Sequence, residues 1–194
     1  DRIQVFGSYA WEKPDMRSSS AYLGETGHSG QASIRYIHDL PALTFGPHTR
    51  MTEDVQVGFD FKTTNNTLEF GGLRVFDSLA EVDQFPIIYN ALLNDPYGQT
   101  TFQNQLVFSP GGMSGANRRR NFQTLVPGAS DQYVYDTMSL SRTTWLPEGL
   151  SWILQATGQL ASTNLMYNNQ LGLGGLYTAR GYFTDTALGS GLIL

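Results

Sequence analysis

The sequence contains no cysteine, so neither a disulfide framework nor a thiolate-bound metal can form. Lysine is nearly missing as well, with Lys13 and Lys62 the only two. Charged residues of all kinds make up 15%, against roughly 25% in an average soluble domain. A net charge of −5 leaves no basic face for reading a phosphate backbone, which argues against nucleic acid as the main partner. No apolar run approaches the ~18 residues that a membrane-spanning helix requires. No signal peptide is visible, because Asp1 leads almost directly into strand-like sequence. The chain is therefore expected to be a mature portion or an excised piece of something longer.

What is present favours strands and turns. Aromatics reach 12%, with 21 glycines and 10 tyrosines. A length of 194 residues suffices for one domain with a real core, or for part of a larger one. Period-two alternation, which puts successive side chains on opposite faces, predicts seven strands. Arg2–Glu12 sets Ile3, Val5, Gly7, Tyr9 and Trp11 against Arg2, Gln4, Ser8 and Glu12. Gly30–Leu40 sets Ala32, Ile34 and Tyr36 against Gln31, Ser33 and Arg35. The third strand is the cleanest: Val55, Val57, Phe59 and Phe61 alternate with Gln56, Gly58, Asp60 and Lys62. The fourth, about Gln84–Leu93, alternates less cleanly and contains Pro86, which cannot donate to a ladder. The fifth ends at Ser109, with Phe102, Leu106 and Phe108 opposite Gln103, Gln105 and Ser109. In Gln132–Trp145, Met138 and Leu140 face away from Ser139 and Ser141. The seventh sets Trp152, Leu154, Ala156, Gly158 and Leu160 against Ser151, Gln155, Thr157 and Gln159.

The connections alternate in length. Those at 13–28, 63–83, 110–131 and from 162 onward are long, with Leu68–Phe76 extending a hairpin inside the second. Those at 41–47, 95–98 and 146–149 are short. A soluble sandwich has no reason to gather every long loop at one end, whereas a transmembrane barrel has short periplasmic turns and long extracellular loops. The strands are about ten residues long, enough to cross a bilayer at a tilt. Trp11, Trp145 and Trp152 lie near strand ends, where aromatic girdles sit. The pattern predicts an all-β fold, an antiparallel up-and-down transmembrane β-barrel segment. Val55, Val57, Phe59, Phe61, Trp152 and Leu154 would face lipid. Gln56, Asp60, Lys62, Gln103, Gln105, Gln155, Thr157 and Gln159 would face the lumen. The competing reading is a soluble β-sandwich adhesin or carbohydrate-binding module, which should purify without detergent.

Near the end of the chain, Gly172–Tyr182 holds four glycines, a lone arginine and two tyrosines. Alone, the stretch reads as a glycine-rich surface turn, or as a loop whose Arg180 fork reaches a buried carboxylate. Gly174-Gly175 followed by Ala179-Arg180-Gly181-Tyr182 resembles the [Val/Ala]-Arg-Gly-[Phe/Tyr] signature of the BamA-like outer-membrane transporter superfamily. Within it, the likeness is to the two-partner-secretion transporters, the haemolysin secretion/activation proteins of ShlB/FhaC type. Gly58–Lys62, Leu68–Gly72, Phe108–Gly112 and Leu146–Gly149 are similar to segments of that family's barrel.

The resemblance implies a sixteen-stranded barrel preceded by periplasmic POTRA domains and a plug helix. Residues 1–194 would be a slice of this one domain, from about the fifth strand to the twelfth, which begins at Ala187–Leu194. The POTRA domains and the final strands would lie outside it. Loop 162–187 would fold into the lumen with Arg180 at its inward tip, paired with an aspartate on a later strand. Gly181 would permit close backbone approach, and Tyr182 would pack on the inner wall. Within the chain itself, Asp60 is a candidate contact for Arg180. The implied function is export of a large unfolded exoprotein across a Gram-negative outer membrane, in contact with lipid and lipopolysaccharide, with no catalysis and no cofactor. A barrel-insertion factor of the same superfamily and a diffusive porin are the alternatives.

Other motifs point to less. His28, His38 and His48 stand ten apart, two of them in predicted loops or turns, and no metal site is expected. Arg118-Arg119-Arg120 reads as a solvated loop run that could touch lipopolysaccharide phosphates. Gly112-Met-Ser-Gly115 is not a nucleophile elbow, since its second glycine comes one place early. Gly172-Leu-Gly-Gly fails the dinucleotide pattern, which needs a glycine where Tyr177 stands.

Overall fold

A computed structural model describes residues 1–12, 23–70, 73–173, 185–187 and 189–193. Eight strands follow one another: β1 (Arg2–Glu12), β2 (Leu23–Asp39), β3 (Leu43–Phe45), β4 (Thr49–Phe70), β5 (Leu73–Asp95), β6 (Gly98–Pro110), β7 (Gln132–Trp145) and β8 (Ser151–Ala161). One helix, α1 (Arg119–Leu125), interrupts the connection between β6 and β7. Beyond β8, β9 (Leu171–Leu173) and β10 (Asp185–Ala187) pair with each other, and β11 (Gly191–Ile193) returns to β8. The main sheet has nine strands in the order β1-β2-β4-β5-β6-β7-β8-β11, with β3 against β4, and every strand pairing is antiparallel. The fold is all-β, an up-and-down meander whose edges are β1 and the β8–β11 side.

Register carries the alternation of each strand across the whole sheet. Val5 lies opposite Ile34, Ile34 opposite Phe59, Phe85 opposite Phe108 and Phe108 opposite Val134. The rings of Phe59, Phe85 and Phe108 succeed one another at 5.2 Å between centroids, as neighbours across a pleated surface do. On the other face Phe6 meets Ser33, Ser33 meets Asp60 and Asp60 meets Gln84. Because the side-chain period is two, any one-residue slip would exchange these faces, so the pattern itself fixes the register. The sheet curls toward its polar face until Arg2 of β1 and Gln155 of β8 border one hollow. The apolar face is convex and uncovered. Val5 is 73% exposed and Leu160 70%.

Several boundaries differ from the sequence reading. The stretch 63–83 is not a long connection: β4 runs to Phe70 and β5 starts at Leu73, in an extended hairpin. Its polar threonines and asparagines pair as well as apolar residues do, but they leave no apolar alternation to read. β2 begins at Leu23, so His28 sits in a strand rather than in a loop. The loop 110–131 contains α1, and Arg118-Arg119-Arg120 opens that helix, exposed to solvent. The weakest expected strand, around Pro86, is a central one. Pro86 is buried, and the β4–β5 ladder skips Gly58 and Phe59 opposite it, where a donor is missing.

The two ends of the sheet differ. At one, the chain turns tightly: Glu148 and Gly149 take positive φ of 64° and 78°, the paired left-handed conformation that suits a twisted hairpin. Nearby, Arg142 grips Asp95 with bonds of 2.5 and 3.1 Å and holds its carboxyl below the usual carboxylate range. At the other end, β5 outruns β6, and the segment 111–121 covers its free edge. Ser114 and Asn117 donate to Asp83 at 2.6 and 2.8 Å, and Asn121 donates to the Leu79 carbonyl at 2.8 Å.

Candidate functional site

The concave face has a covered end and a hollow end. At the long-connection end, Phe122 and Val126 from the α1 region and Leu165 and Met166 from the segment after β8 press onto Ala80, Val82, Val107, Tyr133 and Tyr135. All four cap side chains are at most 1% exposed. Each such side chain stabilises by about 1.5–3 kcal/mol on burial, which is why a helix of only seven residues persists here. The two limbs of the cap are tied to each other. Asn164 Nδ2 donates to the Pro127 carbonyl at 2.8 Å, and Tyr167 Oη donates to the Leu125 carbonyl at 3.0 Å.

Beneath the cap lies a polar network. Arg35 Nη2 stands 2.7 Å from Asp60 Oδ1, both side chains being at least nine-tenths buried. Gln84 Nε2 donates to Asp60 Oδ2 at 3.0 Å, and Tyr133 Oη donates to Gln84 Oε1 at 2.8 Å. Asn169 Nδ2 reaches the same Gln84 oxygen at 3.0 Å and Tyr133 Oη at 3.2 Å. Lys62 Nζ donates to Asn169 Oδ1 at 2.7 Å. Arg35 also donates to the carbonyls of Ile34 and Phe59 and lies 5.6 Å over the Phe6 ring. Gly58 clears its path. A Cβ there would stand 2.1 Å from the Ile34 carbonyl oxygen and 2.7 Å from Arg35 Cδ. Buried charges persist only when paired and hydrogen-bonded, and this arrangement does both.

Toward the tight turns the concave face opens into a hollow of about 880 Å³, bordered by Arg2, Asp54, Asn90, Gln103, Ser139 and Gln155 among others. Its wall is largely self-satisfied. Gln103 donates to Asn90 at 2.8 Å, while Asn90 and Gln56 donate to Asp54 at 3.0 and 2.8 Å. The Ser139 and Thr157 hydroxyls meet at 3.2 Å, and Thr137 donates to Gln159 at 3.2 Å. Such a surface, with Arg2, Asp39, Arg50, Glu53 and Asp54 also at its border, wets easily.

Comparison of the chain with protein-family models, with curated proteins and with solved structures found no match. The geometry therefore has to carry the functional reading.

Gln56, Asp60, Lys62, Gln103, Gln105, Gln155, Thr157 and Gln159 all lie on the concave face, the row Gln56–Ile88–Gln105–Thr137–Gln159 crossing five strands. Val55, Val57, Phe59, Phe61, Trp152 and Leu154 lie on the convex one. Gly174, Gly175, Ala179, Arg180, Gly181 and Tyr182 fall outside the described residues, so the signature loop has no geometry here. Asp60, the candidate contact for Arg180 within the chain, is engaged by Arg35. The histidines do not converge: the Tyr9 hydroxyl meets His28 Nδ1 at 3.0 Å, and His38 meets Asp1 at 2.5 Å. Among the described residues, no group of three or more His, Cys, Asp or Glu is placed to hold a metal. The sequence reading missed Gln84, Tyr133 and Asn169 as members of a network. Their separations of 49 and 85 residues from one another leave no local signal. Gly58 does carry one, as the glycine among polar inward positions.

Proposed function

We propose that this chain is a central slice of a sixteen-stranded outer-membrane β-barrel that exports a large partner polypeptide, as a two-partner-secretion transporter does. The observation that carries the reading is the contrast between the two faces of the curled sheet. Its convex face is largely apolar from β1 to β8, with Ile3, Ile34, Val57, Ile87, Leu140 and Leu154 each above 40% exposed, and two polar exceptions on it, Asn104 and Asp136, bond each other at 2.7 Å. Soluble proteins rarely leave so continuous an apolar surface bare, and hydrocarbon would cover it. The concave face is polar at its hollow end, as the wall of a hydrated conduit would be. Two open edges call for further strands to complete a barrel, since an unpaired edge does not persist in lipid. The step from pore to polypeptide conduit rests on the resemblance of Ala179-Arg180-Gly181-Tyr182 and its neighbouring segments to that family.

The test starts with the parent protein in isolated outer membranes. A mass well above 21.5 kDa, with a soluble region ahead of Asp1, is expected. Arg180→Ala in that parent should leave barrel assembly intact and lower export of the exoprotein. A native product of just these residues would overturn the sixteen-stranded assignment. Misassembled outer-membrane barrels with export intact would point to an insertion factor, and solute conductance without export to a porin.

A further inference from the structure

We propose that Asn169 is the latch of a cap that closes the long-connection end of the hollow, an inference that rests on the conduit reading above. Asn169 belongs to the limb 162–171, yet its side chain is bonded into the wall. It accepts from Lys62 of β4 at 2.7 Å and donates to Gln84 of β5 and Tyr133 of β7 at 3.0 and 3.2 Å. Through it the cap reaches the buried Arg35–Asp60 pair, because Gln84 holds Asp60 at 3.0 Å. The partner it gives to the Lys62 ammonium is a neutral amide oxygen, a weaker acceptor than a carboxylate and one that separates more readily.

At the root of this limb Ser162 exchanges hydrogen bonds with the Val134 backbone of β7, and further along Leu165 and Met166 meet the concave wall through apolar contacts. These are non-directional and carry no register of their own. Further polar ties run to the other cap limb, through Asn164 to Pro127 and Tyr167 to Leu125. The segment 111–121 is anchored separately on β5 at Glu81, Asp83 and Leu79. Release of Asn169 would therefore lift 163–171 together with the end of α1, pivoting about the β5 edge and the Ser162–Val134 pair. The uncovered surface, Val107 and Tyr135, continues directly into Gln105 and Gln103 on the hollow wall.

These 194 residues contain no cysteine, so once any cysteine outside them is replaced by serine, single reporters are clean. Val107→Cys places one thiol under the cap, at a position 0% exposed. Ile37→Cys places one on the same face in β2, at a position 4% exposed and outside the apolar cluster under the cap. The rate of labelling by a water-soluble maleimide is measured in the full-length protein, with and without substitution at 169. Asn169→Leu should label about tenfold faster at position 107 and at an unchanged rate at position 37. Asn169→Asp, which keeps an acceptor for Lys62, should remain slow at both. An unchanged rate at 107 in Asn169→Leu overturns the latch. So does an equal rise at both reporters, which would make the network a general strut. Faster labelling confined to 107 in a protein that exports nothing would keep the latch and sink the conduit reading.

Discussion

Val107 and Gln103 stand on the same strand, four residues apart, and point into the same concavity. Val107 is fully buried, while Gln103 is exposed at the rim of the hollow. Strand geometry treats the two alike, so the difference lies in what folds over them. Above Val107, two chain segments widely separated in sequence deliver Phe122, Val126, Leu165 and Met166. Above Gln103 there is open space. The residue types follow: inward positions near the cap are Ala80, Val82, Val107, Tyr133 and Tyr135, and those near the turns are mostly polar or charged, Asn90, Gln103, Ser139, Gln155, Asp54 and Arg2 among them. The packed and the open parts of one surface thus lie at its two ends.

The largest effect that would test this division is expected at the buried ion pair. Asp60→Ala leaves the Arg35 guanidinium without its carboxylate, at a site where both side chains are under a tenth exposed. Removing one partner of such a pair costs about 3–5 kcal/mol, because the remaining charge stays desolvated. Urea unfolding of the refolded protein should show the loss as a lower midpoint at an unchanged slope. Replacing both partners, Arg35→Met with Asp60→Leu, should cost much less than Asp60→Ala alone, since no orphaned charge remains. A double variant as unstable as the single one would mean that the pair is needed for more than mutual compensation.

Next in size is the cap itself. Phe122→Ala removes the largest fully buried cap side chain, for an expected loss of about 3 kcal/mol, at the lower end for a buried aromatic because the cap is held on one side only. Hydrogen exchange distinguishes where the loss falls. Protection should drop in α1 and in 162–170 while the ladders of β6 and β7 around Gln103 and Ser139 keep theirs. Uniform loss along β6 would dissolve the distinction between the two ends.

Much of this was legible before any coordinates. The alternation of Ile3–Trp11, Val55–Phe61 and Trp152–Leu160 placed β1, the middle of β4 and β8, because a half-buried strand writes its faces directly into the sequence. The outer part of β4 was not legible, since Thr63–Thr67 are polar on both faces, and their partners Glu81–Asp77 in β5 do not alternate cleanly. Nor was the network: Lys62 and Asn169 are 107 residues apart, and only the closing of the cap brings them within a hydrogen bond. Pro86 misled in the other direction, because a sheet tolerates one missing donor where its ladder already skips a step.

The smallest effect is expected in the hollow, and it tests whether that wall is structural at all. Gln103→Ala deletes a side chain whose one bond in the wall is a donation of 2.8 Å to Asn90, at an exposed position. Water can replace that donor, so the loss should stay below about 0.5–1 kcal/mol, near the limit of an unfolding measurement. Asn90 keeps its own bond to Asp54 at 3.0 Å, so the rest of the wall has no reason to rearrange. If Gln103→Ala instead costs as much as Phe122→Ala, the chain Gln103–Asn90–Asp54 is a second structural network. The turn end would then not be free to serve as a conduit. A near-zero loss accompanied by a change in export rate would give the opposite result, a wall kept for what passes along it.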